Sequence, residues 1–432
     1  MNLISVVLAI LFPLSKATVV DGYCNRISVN PGDSLTLYIN ASEIASNYPL
    51  RLYDLNGNKV FEKRTNVFPQ KINTAEPWKD GYMYKRTVTV KLPHLKSGVY
   101  LWEDKIPIII KASNPKIIVV YSSNTENAYC NSGGKSLYPY NSSDRVSSPI
   151  ISFLRPIGLP KHSEAFLRWF VNQPFQNVGY VSDQDLDFYS EINRAELILL
   201  VGHNEYWTLE ARKNFDRFVS EGKNALIMSG NTMWWQVRYD KTRTKLICYR
   251  VGSDDPIRSP KLKTVNWNDP TLNYSILQSI GVEFPLAGFG LKEDKGWDGF
   301  KVVNEKSPLL EGTNLVKGKI IPLKNDELDG TLVTGFNGPY NPIVDKHSLG
   351  FDRIEIVGYD STFRLNRYGL ATWIVFRKTK TSGTIINTAS TDWCSERGMG
   401  NKVIQQITTT MIRKLLNKEN VFSPAEEVKF LQ

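Results

Sequence analysis

The chain has 432 residues, 41% hydrophobic and 22% charged, which is long enough for two domains with substantial cores. Its formal net charge is +10, but lysines and arginines alternate with acidic residues and form no basic block. This pattern favours a solvated surface over a nucleic-acid groove, although attraction to anionic polymers stays open.

The four cysteines are too few for a disulfide scaffold in a chain of this length. Their positions are Cys24, Cys130, Cys248 and Cys394. The spacings match no zinc-ligand pattern, so we assign them no metal. An exported chain could form one or two disulfides, but the sequence identifies no pair.

Residues 1–17 contain the apolar segment LISVVLAILFPL, followed by Ser15-Lys16-Ala17, a small-x-small cleavage pattern. This predicts a signal peptide cleaved after Ala17 and a secreted or periplasmic protein. The segment lacks a leading Lys or Arg, so a short membrane anchor is the competing interpretation. Since no other segment is comparably apolar, we expect no membrane contact after cleavage.

Residues 18–114 show short β-rich runs separated by turns, such as SLTLYIN, LRLYDLNGNKVFEK and YKRTVTVKL. Asn56-Gly57 is a strong hairpin signal between two of these runs. Ser113-Asn114-Pro115 provides a plausible linker, because proline discourages continuation of the preceding structure. The pattern predicts a small all-β, immunoglobulin-like sandwich domain.

Residues 115–420 alternate apolar strands with helical segments and predict an α/β domain with a doubly wound sheet, followed by a tail at 421–432. Leu197–Val201 and Asn224–Ser229 are apolar runs on either side of a helical pattern that Thr208 can cap. The stretch 241–356 is rich in Pro, Gly, Asn and Asp, and we interpret it as long irregular connections.

The turn after Leu197–Val201 has the sequence GHNEYW and places His203, Glu205, Tyr206 and Trp207 at the carboxyl end of a buried strand. Open parallel sheets bind ligands at that edge, which favours a functional role. The competing interpretation is that His203 and Glu205 pair with each other while the aromatic rings fill the core.

Three further polar loops are predicted to converge on the same edge. The loop NTENAYCNSGGKSLYPYN carries Tyr129, Tyr138 and Tyr140, LKNDELDG carries Glu327, and TASTDWCSERG carries Asp392 and Trp393. Gly133 to Ser136 superficially resembles a phosphate loop but lacks its first glycine, so we interpret it as a turn. With no GxGxxG, GxxxxGK[ST] or GxSxG motif, nothing indicates nucleotide use or a serine hydrolase.

The segments AYCNSGGKSLY, GHNEYW, SGNTMWWQVR, NDELDG and ASTDWC occur in this order. Together they resemble the family of the large (beta) subunit of N,N-dimethylformamidase, in its carboxy-terminal domain. The resemblance spans roughly 116–416 and depends on several ordered motifs. It implies a glutamine-amidotransferase-like α/β core and a mononuclear iron held by tyrosine and glutamate oxygens.

Carried over by motif, the resemblance makes Glu205, Tyr129 and Tyr138 the candidate iron ligands, with Tyr100 in GVYLW an outlying candidate. Phenolate and carboxylate are hard oxygen donors that suit Fe(III) better than zinc. Each tyrosine, taken singly, could equally be a core residue with a satisfied hydroxyl.

The resemblance makes His203 and Glu327 the candidate catalytic residues. The implied reaction is hydrolysis of an amide C–N bond, with water activated at the iron and protons carried by Glu327 or His203. We expect a small-molecule or polymer-borne amide as substrate, and an oligomer is possible.

The chain departs from the family pattern at two motif positions. Asn204 stands where the family usually has aspartate, and Cys130 where it usually has asparagine. The formamidase large subunit also works with a small partner subunit and has a longer amino-terminal part. Dimethylformamide is therefore not the substrate we expect, and we expect the loss of charge at Asn204 to weaken proton handling.

Two other functions stay open on the sequence. A non-catalytic extracellular binding or structural protein would suit exposed tryptophans such as Trp234 and Trp235. A carbohydrate-active enzyme could use Glu205 and Glu327 as a carboxylate pair, provided that their separation does not exceed about 10 Å.

Overall fold

The computed structural model describes residues 20–290 and 299–424. The predicted signal peptide, residues 1–17, lies outside this range, as does most of the predicted tail. The described start of that tail is packed, because Val421 and Phe422 are buried in the main core.

Eight strands precede the predicted linker and form two sheets. They are β1 Val20–Cys24, β2 Ser28–Val29, β3 Ser34–Ala41, β4 Ala45–Asp54, β5 Lys59–Val67, β6 Val88–Lys91, β7 Gly98–Trp102 and β8 Ile106–Ile110. The strand orders are β1-β3-β6 and β2-β8-β7-β4-β5. Inward side chains such as Leu37 and Ile108 share one core between the two sheets. The Asn56-Gly57 hairpin lies between β4 and β5, with Gly57 at φ +82°.

The rest of the chain builds a main sheet, two small sheets and most of the helices. The strands are β9 Ile117–Tyr121, β10 Ile150–Ser152, β11 Val178–Ser182, β12 Leu197–Gly202, β13 Tyr206–Thr208, β14 Asn224–Ser229, β15 Trp235–Tyr239, β16 Lys245–Ile247, β17 Glu283–Gly290, β18 Gly299–Val302, β19 Ile320–Pro322, β20 Glu327–Gly330, β21 Val333–Phe336, β22 Pro342–Val344, β23 Arg353–Arg364, β24 Arg367–Arg377 and β25 Thr384–Asn387. The helices are α1 Pro77–Asp80, α2 Ser123–Tyr129, α3 Glu164–Phe170, α4 Leu209–Ser220, α5 Ile276–Ile280, α6 Lys346–Leu349, α7 Glu396–Met399 and α8 Lys402–Leu416.

The main sheet is mixed, with the strand order β11-β9-β12-β14-β25-β24-β23-β17-β20. The first five strands are parallel, and β24, β23, β17 and β20 continue the sheet antiparallel. The parallel strands are covered on both faces: Ile117 and Val119 belong to one core, and Ile118 and Val120 belong to another. Continuous apolar strands are typical of such double covering.

The βαβ unit predicted around the GHNEYW turn is present. Strands β12 and β14 pair in parallel across α4, whose N-cap Thr208 accepts a hydrogen bond from the Ala211 N–H at 3.0 Å. Phe215 and Phe218 are buried on the inner face of α4. The apolar period and the N-cap of the helix, together with the apolar runs of the two strands, were therefore sufficient to predict this unit.

The prediction for 241–356 was wrong in one respect. This stretch supplies β17 and β20 to the main sheet, with β23 beginning inside it, so it contributes to the antiparallel half and is not only connection. The α/β class with several sheets is confirmed, while the doubly wound and immunoglobulin-like arrangements stay predictions. All four cysteines are free thiols. Across the described ranges, no helix has the length and apolar character needed to span a membrane.

Candidate active site

The predicted ligand residues come from three elements that meet at the carboxyl edge of the parallel strands. Glu205 lies between β12 and β13, and its backbone N–H donates to Thr125 Oγ1 at 3.0 Å. Tyr129 is the last residue of α2, so the prediction of a loop at this position was wrong. Tyr138 follows the turn at 133–136, which lacks regular structure as predicted.

The three side chains converge on one cluster of oxygen atoms. The Tyr129 hydroxyl donates to Glu205 Oε2 at 2.8 Å. The Tyr138 hydroxyl lies 2.8 Å from Glu205 Oε1 and 2.8 Å from the Tyr129 hydroxyl. Only 2% of Glu205 is exposed, so its carboxylate depends on these donors for solvation.

His203 connects this cluster with the second predicted catalytic residue. Its Nε2 lies 3.3 Å from Glu205 Oε2 and 3.7 Å from Glu327 Oε2. Its Nδ1 lies 3.0 Å from the Gly230 carbonyl oxygen, which requires a proton on Nδ1 and directs Nε2 toward the carboxylates. Glu327 is the first residue of β20, not part of a loop, and it accepts a hydrogen bond from Asn231 Nδ2 at 2.9 Å.

Burial and neighbouring charges shift the pKa values of these groups in different directions. Burial acts to lower the pKa of His203, but the hydrogen bond to Glu205 and the charge of Glu327 outweigh it and raise the pKa to about 9. Burial acts to raise the pKa of Glu205, yet the His203 hydrogen bond and charge bring it below its usual value. Burial raises the pKa of Glu327. The two carboxyl groups therefore differ in proton affinity.

Sequence reasoning missed Arg250, which contacts Tyr138 and Tyr206 next to the cluster of oxygen atoms. Its Nη2 donates to the Tyr206 hydroxyl at 2.6 Å, and that hydroxyl donates to Tyr138 at 2.7 Å. The guanidinium also lies over the Tyr138 ring, 4.0 Å from its centroid. A planar cation stacked on one ring and bonded to the next fixes the orientation of both phenols.

A cavity of about 260 Å³ opens onto this cluster. Its lining includes Tyr129, His203 and Glu327, while Glu205 lies directly behind Tyr129 and His203. Tyr140 lines the cavity and is 70% exposed, which places it at the mouth. Three of the five predicted site residues therefore face a space that a small ligand could enter.

Two glycines allow the surrounding backbones to approach the cluster. A Cβ on Gly202, which has φ +81°, would lie 2.8 Å from Ser163 Cβ and 2.9 Å from the His162 carbonyl carbon. A Cβ on Gly230 would lie 2.5 Å from the Glu327 carbonyl oxygen. Side chains at either position would push His162 or Glu327 away from the site.

Sequence reasoning also missed Glu126 and His162, which line the same cavity. Burial raises the pKa of Glu126 to about 7, and burial lowers the pKa of His162 to about 4. The His162 ring packs edge-on against His203, with centroids 5.6 Å apart. Glu126 precedes Tyr129 by one helical turn, a spacing that would have identified it had the segment been predicted as a helix.

A comparison with sequence profiles of protein families matches residues 62–402 to the family described as N,N-dimethylformamidase beta subunit-like, C-terminal. The chain belongs to this family. The match begins inside β5, so it includes part of the sandwich that the motif resemblance had left out. A comparison with curated proteins finds no match.

Among solved structures, a ThuA-like protein from Bacteroides uniformis is similar to the chain at 11% sequence identity and a TM-score of 0.35. The alignment covers 72% of this chain and 96% of that chain. A likeness at this level carries no argument about function.

The oxygen cluster fits the iron that the dimethylformamidase-like family implies. Two phenols and a carboxylate are hard oxygen donors of the kind that suits Fe(III), and the oxygens of Tyr129, Tyr138 and Glu205 lie within 2.8 to 2.9 Å of one another as hydrogen-bond partners. Within the described ranges, His, Cys, Asp and Glu side chains form no metal-binding group of three, so a metal would depend on the phenol oxygens. Burial raises the pKa of both phenols, so binding as phenolates would release their protons.

The two departures from the family pattern have structural roles. Asn204 is buried, and its Nδ2 donates to the Val201 carbonyl oxygen at 2.9 Å, so its amide closes the end of β12. Cys130 Sγ lies 3.5 Å from the Pro156 carbonyl oxygen. Neither side chain lines the cavity, and the weaker proton handling expected from Asn204 stays a prediction.

The remaining sequence candidates lie outside the oxygen cluster. Tyr100 belongs to the sandwich core, and its hydroxyl donates to the Lys96 carbonyl oxygen. Asp392 accepts a hydrogen bond from the Asp326 N–H at 2.7 Å and so holds the segment that presents Glu327. Trp393 is fully buried against α8.

Proposed function

We propose that this dimethylformamidase-like protein is a secreted or periplasmic hydrolase of an amide C–N bond. The proposal includes a mononuclear iron, held as Fe(III) by Glu205, Tyr129 and Tyr138, and a substrate that is a small or polymer-borne amide. It also includes a doubly wound glutamine-amidotransferase-like core, preceded by an immunoglobulin-like sandwich at residues 18–114. The observation that supports it most directly is the convergence of two phenols and a carboxylate beside His203 and Glu327.

The protein's own residues divide the proton transfers that the reaction needs. When bound, the iron would supply Lewis acidity for the amide carbonyl and for water. Glu327 takes a proton from the attacking water as the C–O bond forms, and it delivers that proton to the amine nitrogen as the C–N bond breaks. The products are a carboxylic acid and an amine, so atoms and charge balance.

His203 holds the two carboxylates in place during these transfers. Its Nδ1–H is committed to the Gly230 carbonyl oxygen, so the ring keeps one orientation. Its Nε2 presents a positive charge between Glu205 and Glu327, which stabilises the ionised form of both. The cation also lies where negative charge develops on the amide oxygen.

The carbohydrate-hydrolase alternative meets a geometric obstacle. Both Glu205 and Glu327 lie within 3.7 Å of His203 Nε2, so their separation is within the limit set for a carboxylate pair. His203 Nε2, however, contacts both carboxylates, so a glycosidic bond flanked by them would have to displace these contacts. The binding-protein alternative is weakened because Trp234 and Trp235 are partly buried and pack against each other.

Metal content and the visible spectrum of the mature chain test the proposal. We expect near-stoichiometric iron with a tyrosinate-to-iron band in the wild type, and loss of both in Glu205→Gln and Tyr138→Phe. Tyr239→Phe is the matched control, because Tyr239 is also buried and hydrogen-bonded but contacts Asn124 instead of the cluster. Iron retained by the cluster variants, or no hydrolysis of either simple or polymer-borne N-formyl and N-acetyl amides by the iron-loaded wild type, would overturn the proposal.

A further inference from the structure

Four residues on four neighbouring strands form a row that starts at Glu327. Phe289 on β17 is directly opposite Glu327 on β20, and it is also directly opposite Phe363 on β23. Phe363 is in turn opposite Tyr368 on β24. Directly opposed residues of antiparallel strands project from the same face of the sheet. The row therefore carries three aromatic rings away from Glu327 on one face.

The three rings are exposed although each is large and apolar. Phe289 is 49% exposed, Phe363 39% and Tyr368 71%. Phe363 and Tyr368 contact each other, with ring centroids 5.3 Å apart. Large aromatic side chains exposed together on one face of a sheet are typical of a site of interaction. We call Phe289, Phe363 and Tyr368 the aromatic row.

Aromatic residues behind the row support its inner end. Phe284 packs edge-on against Phe289 at 5.3 Å and against Trp234 at 6.2 Å. Arg364 lies over the Phe284 ring at 5.2 Å. These contacts hold Phe289 in position next to Glu327, so the row is an ordered extension of the candidate active site.

We propose that the aromatic row binds the sugar rings of an N-acylated oligosaccharide whose amide group reaches Glu327. This inference rests on the proposed amide hydrolysis and narrows its substrate to a polymer-borne amide. Adjacent strands are about 4.8 Å apart, so the row extends about 14 Å from Glu327. That length accommodates a few successive sugar rings and exceeds a simple amide such as an N-acetyl amine.

The exposure of the row favours sugar rings over a hydrocarbon chain. A pyranose ring has an apolar C–H face that can stack on an aromatic ring and a rim of hydroxyl groups that stays hydrated. A ligand bound on a half-exposed platform keeps one side in water, which suits such an amphipathic ring. An acyl chain gains most when it is enclosed on all sides.

Binding of N-acetylglucosamine oligomers of one to six units, measured by calorimetry on the metal-free mature chain, tests the inference without turnover. We expect affinity to rise with length over the first three or four units and then to level off. Tyr368→Ala and Phe289→Ala should each weaken binding of the tetramer at least tenfold. Phe68→Ala is the matched control, since Phe68 is 51% exposed but lies after β5 in the amino-terminal part.

Two results would overturn the aromatic-row proposal. One is equal affinity for the monomer and the hexamer, and the other is unchanged affinity in both row variants. A dimer that Tyr368→Ala converts to a monomer, without oligomer binding by either form, would show that a second copy covers the row. Glucose oligomers of the same lengths establish whether the acyl group is needed, and binding of both series equally would contradict an amide-directed site.

Failure of the inference and failure of the proposed hydrolysis are distinguishable. Length-dependent binding without hydrolysis by the iron-loaded protein would support the aromatic row and refute the amidase. Hydrolysis of simple amides with no length-dependent binding would support the amidase and refute the row.

Discussion

Arg155 is expected to be the residue that holds the loop between the two candidate tyrosine ligands. Its side chain is fully buried and donates almost entirely to backbone carbonyl oxygens. Nη1 bonds to Cys130 at 2.9 Å and Ser132 at 2.6 Å, Nη2 to Asn127 at 3.0 Å, and Nε to Ser152 at 2.9 Å. One guanidinium thus connects the end of α2 with the following turn and with β10.

Replacement of Arg155 by methionine keeps the apolar stem and removes every one of these donors. Each buried carbonyl group that loses its hydrogen bond costs about 1–3 kcal/mol. Water molecules that enter the space can bond to some of these carbonyl groups and so reduce the total cost. We therefore expect a net destabilisation of about 3–5 kcal/mol. The entropy of unfolding for a chain of this length is on the order of 0.9 kcal/mol/K. The expected decrease in Tm is therefore roughly 3–6 °C.

Arg212→Met is the matched control for Arg155→Met. Arg212 is also fully buried and donates to the carbonyl oxygens of Tyr274 and Ser275 at 3.0 Å, in a part of the fold that contacts neither candidate ligand tyrosine. Calorimetry should show a lower Tm in both variants. Only Arg155→Met should increase hydrogen exchange over 127–140 and lose the tyrosinate band. Unchanged exchange in that segment would refute the assigned role of Arg155.

Three further predictions concern the site's support, a buried acid and a helix cap. Arg250→Lys keeps the charge but loses the planar contact with Tyr138, so visible titration should show a shifted tyrosinate band and roughly tenfold weaker iron binding; an unchanged band would contradict this. Burial raises the pKa of Asp183 to about 8 in the folded protein, whereas the pKa in the unfolded chain is about 3.9. The free energy of unfolding should therefore fall as the pH rises from about 4 to about 8. Urea denaturation should show a smaller decline over that window in Asp183→Asn, and an identical decline would show that the carboxyl group does not titrate as expected. Thr208→Ala removes the cap bond to Ala211 and should lower the free energy of unfolding by about 1 kcal/mol, whereas Thr208→Ser should leave it nearly unchanged.

The sequence was most informative where local signals agreed with one another. Leu197–Val201 and Asn224–Ser229 were predicted as strands from continuous apolar runs, and the structure extends the first by only one residue. The helix between them was predicted from its cap and its apolar period. Each signal lies within a few residues of the structure that it specifies, which is why single-sequence reasoning reached it.

Strands β17 and β20 of the antiparallel half were missed because they are defined by distant partners. The strand containing Phe289 pairs with Phe363 on one side and Glu327 on the other. Glycine and proline interrupt this strand, so its own sequence has neither a clean alternation nor a continuous apolar run. The fold there is decided by tertiary pairing, which outweighs weak local preference.

The site shows the same division between local motif and distant contact. Glu205 and Tyr138 were identified from motif resemblance, since each lies in a recognisable segment. Arg250 lies in an irregular stretch. Its role in the site depends on its contact with Tyr206, a residue 44 positions earlier in the chain. From sequence alone, a single arginine in such a stretch cannot be distinguished from an ordinary surface residue.

The surroundings of Glu205 and Glu327 assign them different tasks under the proposed function. Glu205 accepts hydrogen bonds from both candidate ligand phenols and lies beside His203, so its pKa falls and it stays ionised as an anchor. Glu327 is more exposed, has one neutral amide donor and is raised in pKa by burial and by the charge of Glu205. A carboxyl group whose pKa is raised holds a proton more readily and is the better proton carrier, while one that stays ionised is the better ligand. These different surroundings therefore make Glu205 a poor base and Glu327 a good one.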